Sequence, residues 1–127
     1  MSLIHILEPD FIFKDERGRL VQLVREGFSQ FNVIESIKGA VRGGHFHKLN
    51  NEAFFVVKGK LKLDTWDIGR GQDKEQYTFK TGDMFEIPAN VVHDFIFDEN
   101  TILISMYDMG VELDNGEKDI HVEEGNM

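Results

Sequence analysis

The stretch GAVRGGHFHKLNNEAFFVVKG, residues 39–59, decides the fold and carries most of the chemistry that the chain offers. It places His45 and His47 two positions apart, with Phe46 between them. Because successive side chains of a β-strand point to opposite faces, the two imidazoles project together and Phe46 points away. The apolar run at residues 53–57 predicts a buried strand soon after them.

A polar loop, residues 48–51, separates His47 from Glu52. A hairpin at this loop would bring Glu52 back beside the two histidines. Neutral imidazoles and a carboxylate suit one borderline divalent ion such as Zn, Fe, Mn, Ni or Cu. The alternative is that a lone His-x-His pair is ordinary polar surface, so the interpretation needs support from elsewhere in the chain.

The support comes from residues 82–97, GDMFEIPANVVHDFIF, where turn residues separate two short apolar runs. The second run predicts a strand with His93, Phe95 and Phe97 on one face. Taken alone, a histidine among aromatic side chains is most simply a hydrogen-bonded core residue. Together with the first cluster, we interpret His93 as the fourth ligand of a single ion.

The spacing of these residues resembles the two motifs of the cupin family. The first motif is Gly, five residues, His-x-His, three or four residues, Glu, six residues and Gly, and residues 39–59 match it at every position. The second motif is matched by Gly82, Pro88 and His93, with Asn90 where the family has a glycine and without the final asparagine. Asparagine also accepts a positive φ, so this change is tolerable.

The cupin resemblance implies an all-β fold, a single cupin jelly-roll β-barrel. Such a fold limits exposed strand edges by packing two sheets together. The resemblance also implies one divalent metal ion in the mouth of the barrel. Its ligands would be His45, His47, Glu52 and His93.

Shorter runs resemble enzymes that act on nucleotide sugars. Residues 15–18 and 31–47 are similar to the start of dTDP-4-dehydrorhamnose 3,5-epimerases, residues 42–48 to dTDP-sugar 3,4-ketoisomerases, and residues 45–57 to the cupin domain of bifunctional capsular-polysaccharide epimerases. All three groups act on 4-keto nucleotide sugars and move protons at carbons next to a ketone. The resemblance implies an isomerase or epimerase whose small-molecule substrate is a keto-sugar, free or nucleotide-linked, in polysaccharide biosynthesis.

Such chemistry needs a base and a group that stabilises the enolate, a task that suits a metal ion. The same resemblance makes Arg17 and Arg42 candidates for binding diphosphate, and Lys48 and Tyr107 candidates for moving the proton. In the metal-free epimerases, the histidine that matches His45 is the base. One nitrogen cannot bind a metal ion and a proton at the same time. Because Glu52 completes a set of metal ligands, we assign His45 to the metal.

Two other functions fit the same ligand set. One is a metal-dependent oxygenase or another small-molecule cupin enzyme, and the other is a non-catalytic module that binds a sugar or metabolite. The run Arg42-Gly43-Gly44 also has two interpretations, a bulged entry to the strand or a backbone that lets a ligand approach the metal. On the sequence alone, whether the chain is an enzyme stays open.

Composition narrows the class of protein. The chain has 127 residues, which suits one domain, and we expect its core at residues 19–108 and an acidic, irregular or partly disordered tail at 109–127. Its net charge of −9 argues against nucleic acid and anionic membrane surfaces as partners. It has no cysteine, so neither disulfides nor thiolate ligands are expected.

Location and assembly are inferred from weaker signals. No apolar stretch approaches the roughly 20 residues of a membrane-spanning helix, and the chain shows no signal peptide. We therefore expect a location in the cytoplasm. By resemblance to cupins, which pair through their sheets, we also expect a homodimer.

Overall fold

The structure, a computed structural model, describes residues 2–123. Over this range the chain forms twelve β-strands, which confirms the predicted all-β fold. The described residues contain no helix that could cross a membrane. The strands are β1 (His5–Leu7), β2 (Phe11–Asp15), β3 (Gly18–Gln22), β4 (Gln30–Ser36), β5 (Val41–Phe46), β6 (Glu52–Lys58), β7 (Lys60–Asp67), β8 (Glu75–Lys80), β9 (Met84–Ile87), β10 (Val91–Phe97), β11 (Thr101–Tyr107) and β12 (His121–Val122).

Ten of these strands form two antiparallel sheets of five. The first sheet has the order β1-β9-β6-β11-β4, and the second has the order β12-β5-β10-β7-β8. The remaining strands, β2 and β3, pair only with each other within the described residues. Strands that are neighbours in a sheet are mostly distant in sequence, and this arrangement is the predicted cupin jelly roll.

The core lies between the two sheets and is rich in phenylalanine. Strand β7 alternates at its start, so Leu61 and Leu63 enter the core while the intervening side chain faces solvent. Phe54 of the first sheet meets Phe95 of the second with ring centroids 5.0 Å apart, and Phe85 stacks on Phe54 at 5.2 Å. Full burial of one such ring contributes about 1.5–3 kcal/mol, so these contacts hold the two sheets together.

The turn before β10 fits the sequence expectation. Asn90, which stands where the cupin motif has a glycine, has a φ of 67°. Its backbone N–H donates to the carbonyl oxygen of His47 at 2.7 Å. The second motif is therefore tied directly to the first.

The packed core reaches beyond the predicted limits of 19–108 at both ends. Strand β1 pairs with β9 at the edge of the first sheet, and Ile4 beside it is buried. The segment after β11 is irregular, as predicted, but Val111 and Asp119 are buried and β12 pairs with β5. An acidic composition predicts a solvated tail, whereas here two buried acids, Asp119 and Glu123, anchor the segment through hydrogen bonds. Residues 124–127 of the predicted tail lie outside the described residues.

Gly59 forms the turn between β6 and β7 with a φ of +121°, and a Cβ there would lie 2.7 Å from both the Asn100 carbonyl oxygen and Thr101 Cα. We predict that Gly59→Ala lowers the free energy of unfolding by more than the ~1–2 kcal/mol of left-handed strain alone, because neighbouring backbone must move. Gly39→Ala is the matched control, since its φ is +88° and no atom lies within 4 Å of its added Cβ. Urea unfolding measures both variants, and equal losses would contradict the prediction.

Candidate functional site

Two strands of the second sheet carry histidines toward one cavity. His45 on β5 and His93 on β10 are direct cross-strand partners, so their side chains share a face. Phe46 enters a separate buried cluster, as strand alternation predicts. Opposite His93, β5 contains one extra residue, Gly44, with a φ of +73°. The predicted bulged entry to the strand is therefore present, and glycine suits its left-handed position.

Glu52 reaches the histidines by a route that differs from the predicted hairpin. Strands β5 and β6 belong to different sheets, and loop 48–51 crosses between them. Glu52, the first residue of β6, therefore meets His47 and His93 across the space between the sheets. The predicted proximity of Glu52 to His47 is confirmed, whereas His45 stays outside the close group. The predicted hairpin is wrong, because strand alternation does not distinguish a hairpin from a crossing between sheets.

His47, Glu52 and His93 form a buried group whose candidate ligand atoms all lie within 4.8 Å of one another. Ligand atoms that share one ion at bonds of about 2.1 Å are roughly 3.0–4.2 Å apart, so only a small adjustment of these side chains is needed for all three to reach one ion. The residues present therefore fit a single divalent ion. His45 lines the same cavity but is not part of this close group. Its role as a fourth ligand stays a prediction.

The contacts of His47 decide its tautomer. Nδ1 lies 2.6 Å from the carbonyl oxygen of Asp119, which can only accept, so Nδ1 carries a proton. Nε2 lies 3.0 Å from Glu52 Oε1. Because a backbone carbonyl accepts the hydrogen bond of Nδ1–H, Nε2 is the nitrogen that is available to bind an ion. This arrangement is usual for metal-binding histidines. In the absence of an ion, one proton between Nε2 and Glu52 satisfies the same contact.

The surroundings set the charge states of the group. Burial lowers the pKa of His93, so its ring is neutral and offers a lone pair. Burial also acts to lower the pKa of His47, but Glu52 and Asp119 outweigh it and the pKa is raised. Because the contact between Nε2 and Glu52 Oε1 contains a proton when no ion is bound, an ion at Nε2 would displace that proton. Burial, followed by the charge of Glu52, raises the pKa of Tyr107 and keeps its hydroxyl protonated.

Asp119 is a buried acid that sequence reasoning missed. Its carboxylate accepts hydrogen bonds from the backbone N–H groups of Lys48, Leu49 and Asn50 at 2.8, 2.9 and 3.0 Å. Burial would raise the pKa of Asp119, but hydrogen bonds from Asn50 and from the loop backbone hold it well below its usual range. Asp119 thus fixes the loop that leads to Glu52. It lies 69 residues from Asn50 among other acids, so no local pattern marks it.

These residues open on a cavity of about 180 Å³. Pockets that enclose a whole drug-sized ligand measure roughly 300–1,000 Å³. The cavity is therefore sized for the reacting part of a larger molecule. It is lined by Ile34, Arg42, Gly43, His45, His47, Glu52, Phe54, His93, Phe95, Tyr107 and Ile120.

The structure brings two of the four remaining predicted site residues to this cavity. Arg42 and Tyr107 line it, and Arg42 Nε donates a hydrogen bond to Ser36 Oγ at 3.0 Å. The side chain of Lys48 lies outside the lining. Arg17 lies in the turn between β2 and β3, largely exposed and 2.6 Å from a neighbouring aspartate. Neither Lys48 nor Arg17 has a place in the cavity, because closeness in sequence does not set the direction of a side chain.

Residues 13–119 match the model of a protein family described as the polysaccharide biosynthesis C-terminal domain. The chain belongs to this family. A relative from Pseudomonas aeruginosa, UDP-2-acetamido-2,6-beta-L-arabino-hexul-4-ose reductase, is 33% identical over 78 residues, which are 61% of this chain and 20% of that protein. This family member therefore spans about a fifth of the length of that relative.

Solved structures share the fold. QdtA, a sugar 3,4-ketoisomerase from Thermoanaerobacterium thermosaccharolyticum, superposes with a TM-score of 0.74 at 14% identity, over 95% of this chain and 88% of QdtA. ChmJ, a 3'-monoepimerase from Streptomyces bikiniensis, gives 0.73 at 20% identity, over 95% and 69% of the two chains. The dTDP-4-dehydrorhamnose 3,5-epimerase from Sulfolobus tokodaii gives 0.68 at 24% identity, over 82% and 69%. The resemblance to these nucleotide-sugar cupins is confirmed at the level of fold.

We predict that Asp119→Asn lowers the free energy of unfolding by about 1–3 kcal/mol or more, because an amide cannot accept all the N–H groups of the loop and leaves a buried donor without a partner. Chemical denaturation measures the loss. Asp114→Asn makes the same chemical change at an exposed position of the same segment and should leave stability within about 0.5 kcal/mol of the parent. Equal effects of the two substitutions would contradict the anchoring role of Asp119.

Proposed function

We propose that this chain is a metal-dependent isomerase or epimerase domain whose substrate is a nucleotide-linked keto-sugar of polysaccharide biosynthesis. The observation that carries the proposal is the buried group of His47, Glu52 and His93, which opens on a cavity that also holds Arg42 and Tyr107. Two imidazoles and a carboxylate supply metal ligands. The other two side chains supply a cation for an anionic substrate and a hydroxyl for proton transfer.

The relatives support the class of substrate. The three structural neighbours are a 3,4-ketoisomerase, a 3'-monoepimerase and a 3,5-epimerase, and the first two were solved with TDP and with dTDP-quinovose. The Pseudomonas aeruginosa relative is named for a UDP-linked sugar. Because this chain covers only 20% of that relative, we carry over the sugar class and not the reductase reaction.

Arg42 is the candidate for holding the diphosphate. Among residues 2–123, it is the only lysine or arginine that lines the cavity. Its Nε is already used by Ser36 Oγ, so the terminal guanidinium nitrogens are the donors that would meet a phosphate oxygen. With a cavity of about 180 Å³, the sugar enters and the diphosphate stays at the rim.

His47, Glu52 and His93 would hold the ion, which when bound polarises the keto oxygen and makes the neighbouring C–H group more acidic. In place of the fourth-ligand role predicted from the sequence, we assign the base to His45, because it lines the cavity without belonging to the close ligand group. His45 accepts the proton from the carbon next to the ketone, and the C–H electrons form the enolate. Tyr107 then donates a proton from its hydroxyl to the opposite face of the same carbon. Proton exchange with solvent returns His45 and Tyr107 to their starting protonation states. The step moves protons without any change of oxidation state.

Two histidines and one carboxylate are also the ligand set of non-haem Fe(II) oxygenases. A second candidate function is therefore a metal-dependent oxygenase, supported by the same close group. Oxygen uptake by the Fe(II)-loaded protein with candidate substrates tests this alternative. A failure to consume oxygen with any of them would retire it.

We predict that the purified chain binds one divalent ion and that His47→Ala and His93→Ala each lose most of it, because each substitution removes one of three buried ligands. Elemental analysis of parent and variants measures the content. His5→Ala is the matched control, since His5 is exposed on β1 and contacts Glu86 outside the cavity. Unchanged metal content in His47→Ala would show that the ligand assignment is wrong.

We predict that the metal-loaded protein exchanges hydrogen for deuterium next to the ketone of dTDP- or UDP-4-keto-sugars in D₂O, as followed by mass spectrometry. Tyr107→Phe keeps the ring, whose centroid lies 5.0 Å from that of His47, and should slow the exchange about 10²–10⁴-fold. His45→Asn should slow the exchange without loss of the metal ion. If this variant loses the ion, His45 is a metal ligand and not the base. Binding of the sugars without any exchange would instead identify a non-catalytic module.

A further inference from the structure

Arg42 and His45 both line the cavity, although regular strand alternation would place them on opposite faces of β5. The two residues are three positions apart, and only residues an even number of positions apart share a face of a regular strand. A regular β5 that carried His45 inward would put Arg42 on the side of Phe46, which packs in a separate buried cluster. The alternation of β5 must therefore change between Arg42 and His45.

The bulge at Gly44 makes this change. His45 pairs with His93 and Arg42 pairs with Phe95, so three steps along β5 correspond to two steps along β10. One extra residue exchanges the two faces of a strand on one side of the bulge. Arg42 therefore shares the inner face with Phe95, which also lines the cavity.

Asp94 holds this bulge from the outer face of the sheet. It lies between His93 and Phe95 on β10, which both line the cavity, so its own side chain faces away. Asp94 Oδ1 accepts a hydrogen bond from the backbone N–H of Gly44 at 2.5 Å. The two strands are so close here that a Cβ on Gly43 would lie 2.6 Å from Asp94 Cα. Glycine at position 43 thus permits the contact.

The other polar backbone group of Gly44 is also paired. Its carbonyl oxygen accepts a hydrogen bond from the backbone N–H of Glu123 at 3.4 Å. The extra residue of a bulge is normally left without partners in the ladder. Here both of its backbone groups have partners outside the pairing of β5 with β10, so the bulge has one defined conformation.

The acidic side chain at position 94 has a cost that this hydrogen bond explains. Asp94 is the direct cross-strand partner of Asp64 on β7, and like charges in that relation destabilise a sheet. Asp64 accepts its own hydrogen bond from the side-chain amide of Gln76 at 2.8 Å. A neutral residue at position 94 would avoid the repulsion, whereas a carboxylate supplies a strong acceptor for the N–H of Gly44.

We infer that Asp94 is a positioning residue that holds the Gly44 bulge and so turns Arg42 into the cavity. The inference rests on the proposed function for the task of Arg42, which is to bind the diphosphate of the substrate. Asp94 does not line the cavity and does not touch the substrate. The arginine is held at its backbone by the bulge and at its Nε by Ser36 Oγ, 3.0 Å away.

Calorimetric titration with dTDP and UDP tests the inference by the sign of the effect. Loss of an acidic residue near the cavity should by charge alone tighten the binding of an anion, whereas misplacement of Arg42 weakens it. Asp94→Ala should raise the dissociation constant about tenfold or more, as Arg42→Met does. In an Arg42→Met background, Asp94→Ala should have no further effect, because the two residues act as one unit.

Two variants are matched controls for charge. Asp94→Asn loses the same charge as Asp94→Ala but keeps an acceptor oxygen, so its dissociation constant should stay within about threefold of the parent value. Asp64→Ala removes an acid one strand away and should bind as tightly as the parent or more tightly. Unweakened binding in Asp94→Ala, equal weakening in Asp94→Asn, or a full further loss in the Arg42→Met background would overturn the inference.

Hydrogen exchange at the Nε–H of Arg42, followed by NMR, tests the same inference without a ligand. Exchange should be slower in the parent than in Ser36→Ala, which removes the acceptor. Asp94→Ala should exchange as fast as Ser36→Ala, and Asp94→Asn should exchange as slowly as the parent. Slow exchange in a folded Asp94→Ala would overturn the inference. Asp94→Leu, which has similar volume and no acceptor, replaces the alanine variant if that variant does not fold.

The two measurements separate this inference from the proposed function. A parent protein that binds neither dTDP nor UDP would contradict the proposed class of substrate. The exchange of the Arg42 Nε–H would then decide by itself whether Asp94 positions the arginine.

Discussion

Much of this structure is arranged around one buried carboxylate. Glu52 is 3% exposed, and an ionised carboxylate inside a protein costs several kcal/mol unless it is paired and hydrogen-bonded. Its compensation comes from His47, whose Nε2 lies 3.0 Å from Glu52 Oε1, and His93 belongs to the same close group. Both histidines stand on the side of the second sheet, whereas Glu52 begins a strand of the first. The charge of Glu52 is therefore compensated only when the two sheets pack so that this carboxylate meets the histidines.

Two features hold the sheets in that position. One is the cluster of phenylalanines between them, in which Phe54 and Phe95 bridge the sheets a short distance from the histidines. The other is Asp119, whose carboxylate gathers the N–H groups of the loop between the sheets and whose carbonyl orients His47. The apolar core supplies most of the stabilisation, and the hydrogen bonds of Asp119 give the loop a single conformation. A site that needs fixed histidine tautomers and short contacts requires both the apolar core and the hydrogen bonds of Asp119.

The same strand serves the interior and the outer surface. Ile34 of β4 faces the cavity, while Phe31 and Val33 on the same strand face outward. This division follows from the two-residue period of a β-strand, which places one set of side chains on each face.

The sequence by itself determined most of the strands and the residue types of the candidate site. The His-x-His spacing, the glutamate five residues later and the later histidine marked the residues that converge, and the motif position of Asn90 matched its left-handed backbone. These signals could be read because strand alternation and turn chemistry are local properties. Tertiary structure alone decided that Glu52 arrives across the sheets, that Lys48 turns away from the cavity and that Asp119 holds the loop. Such features depend on contacts between residues about 70 positions apart, and these follow from the order of strands in the sheets, which no local period encodes.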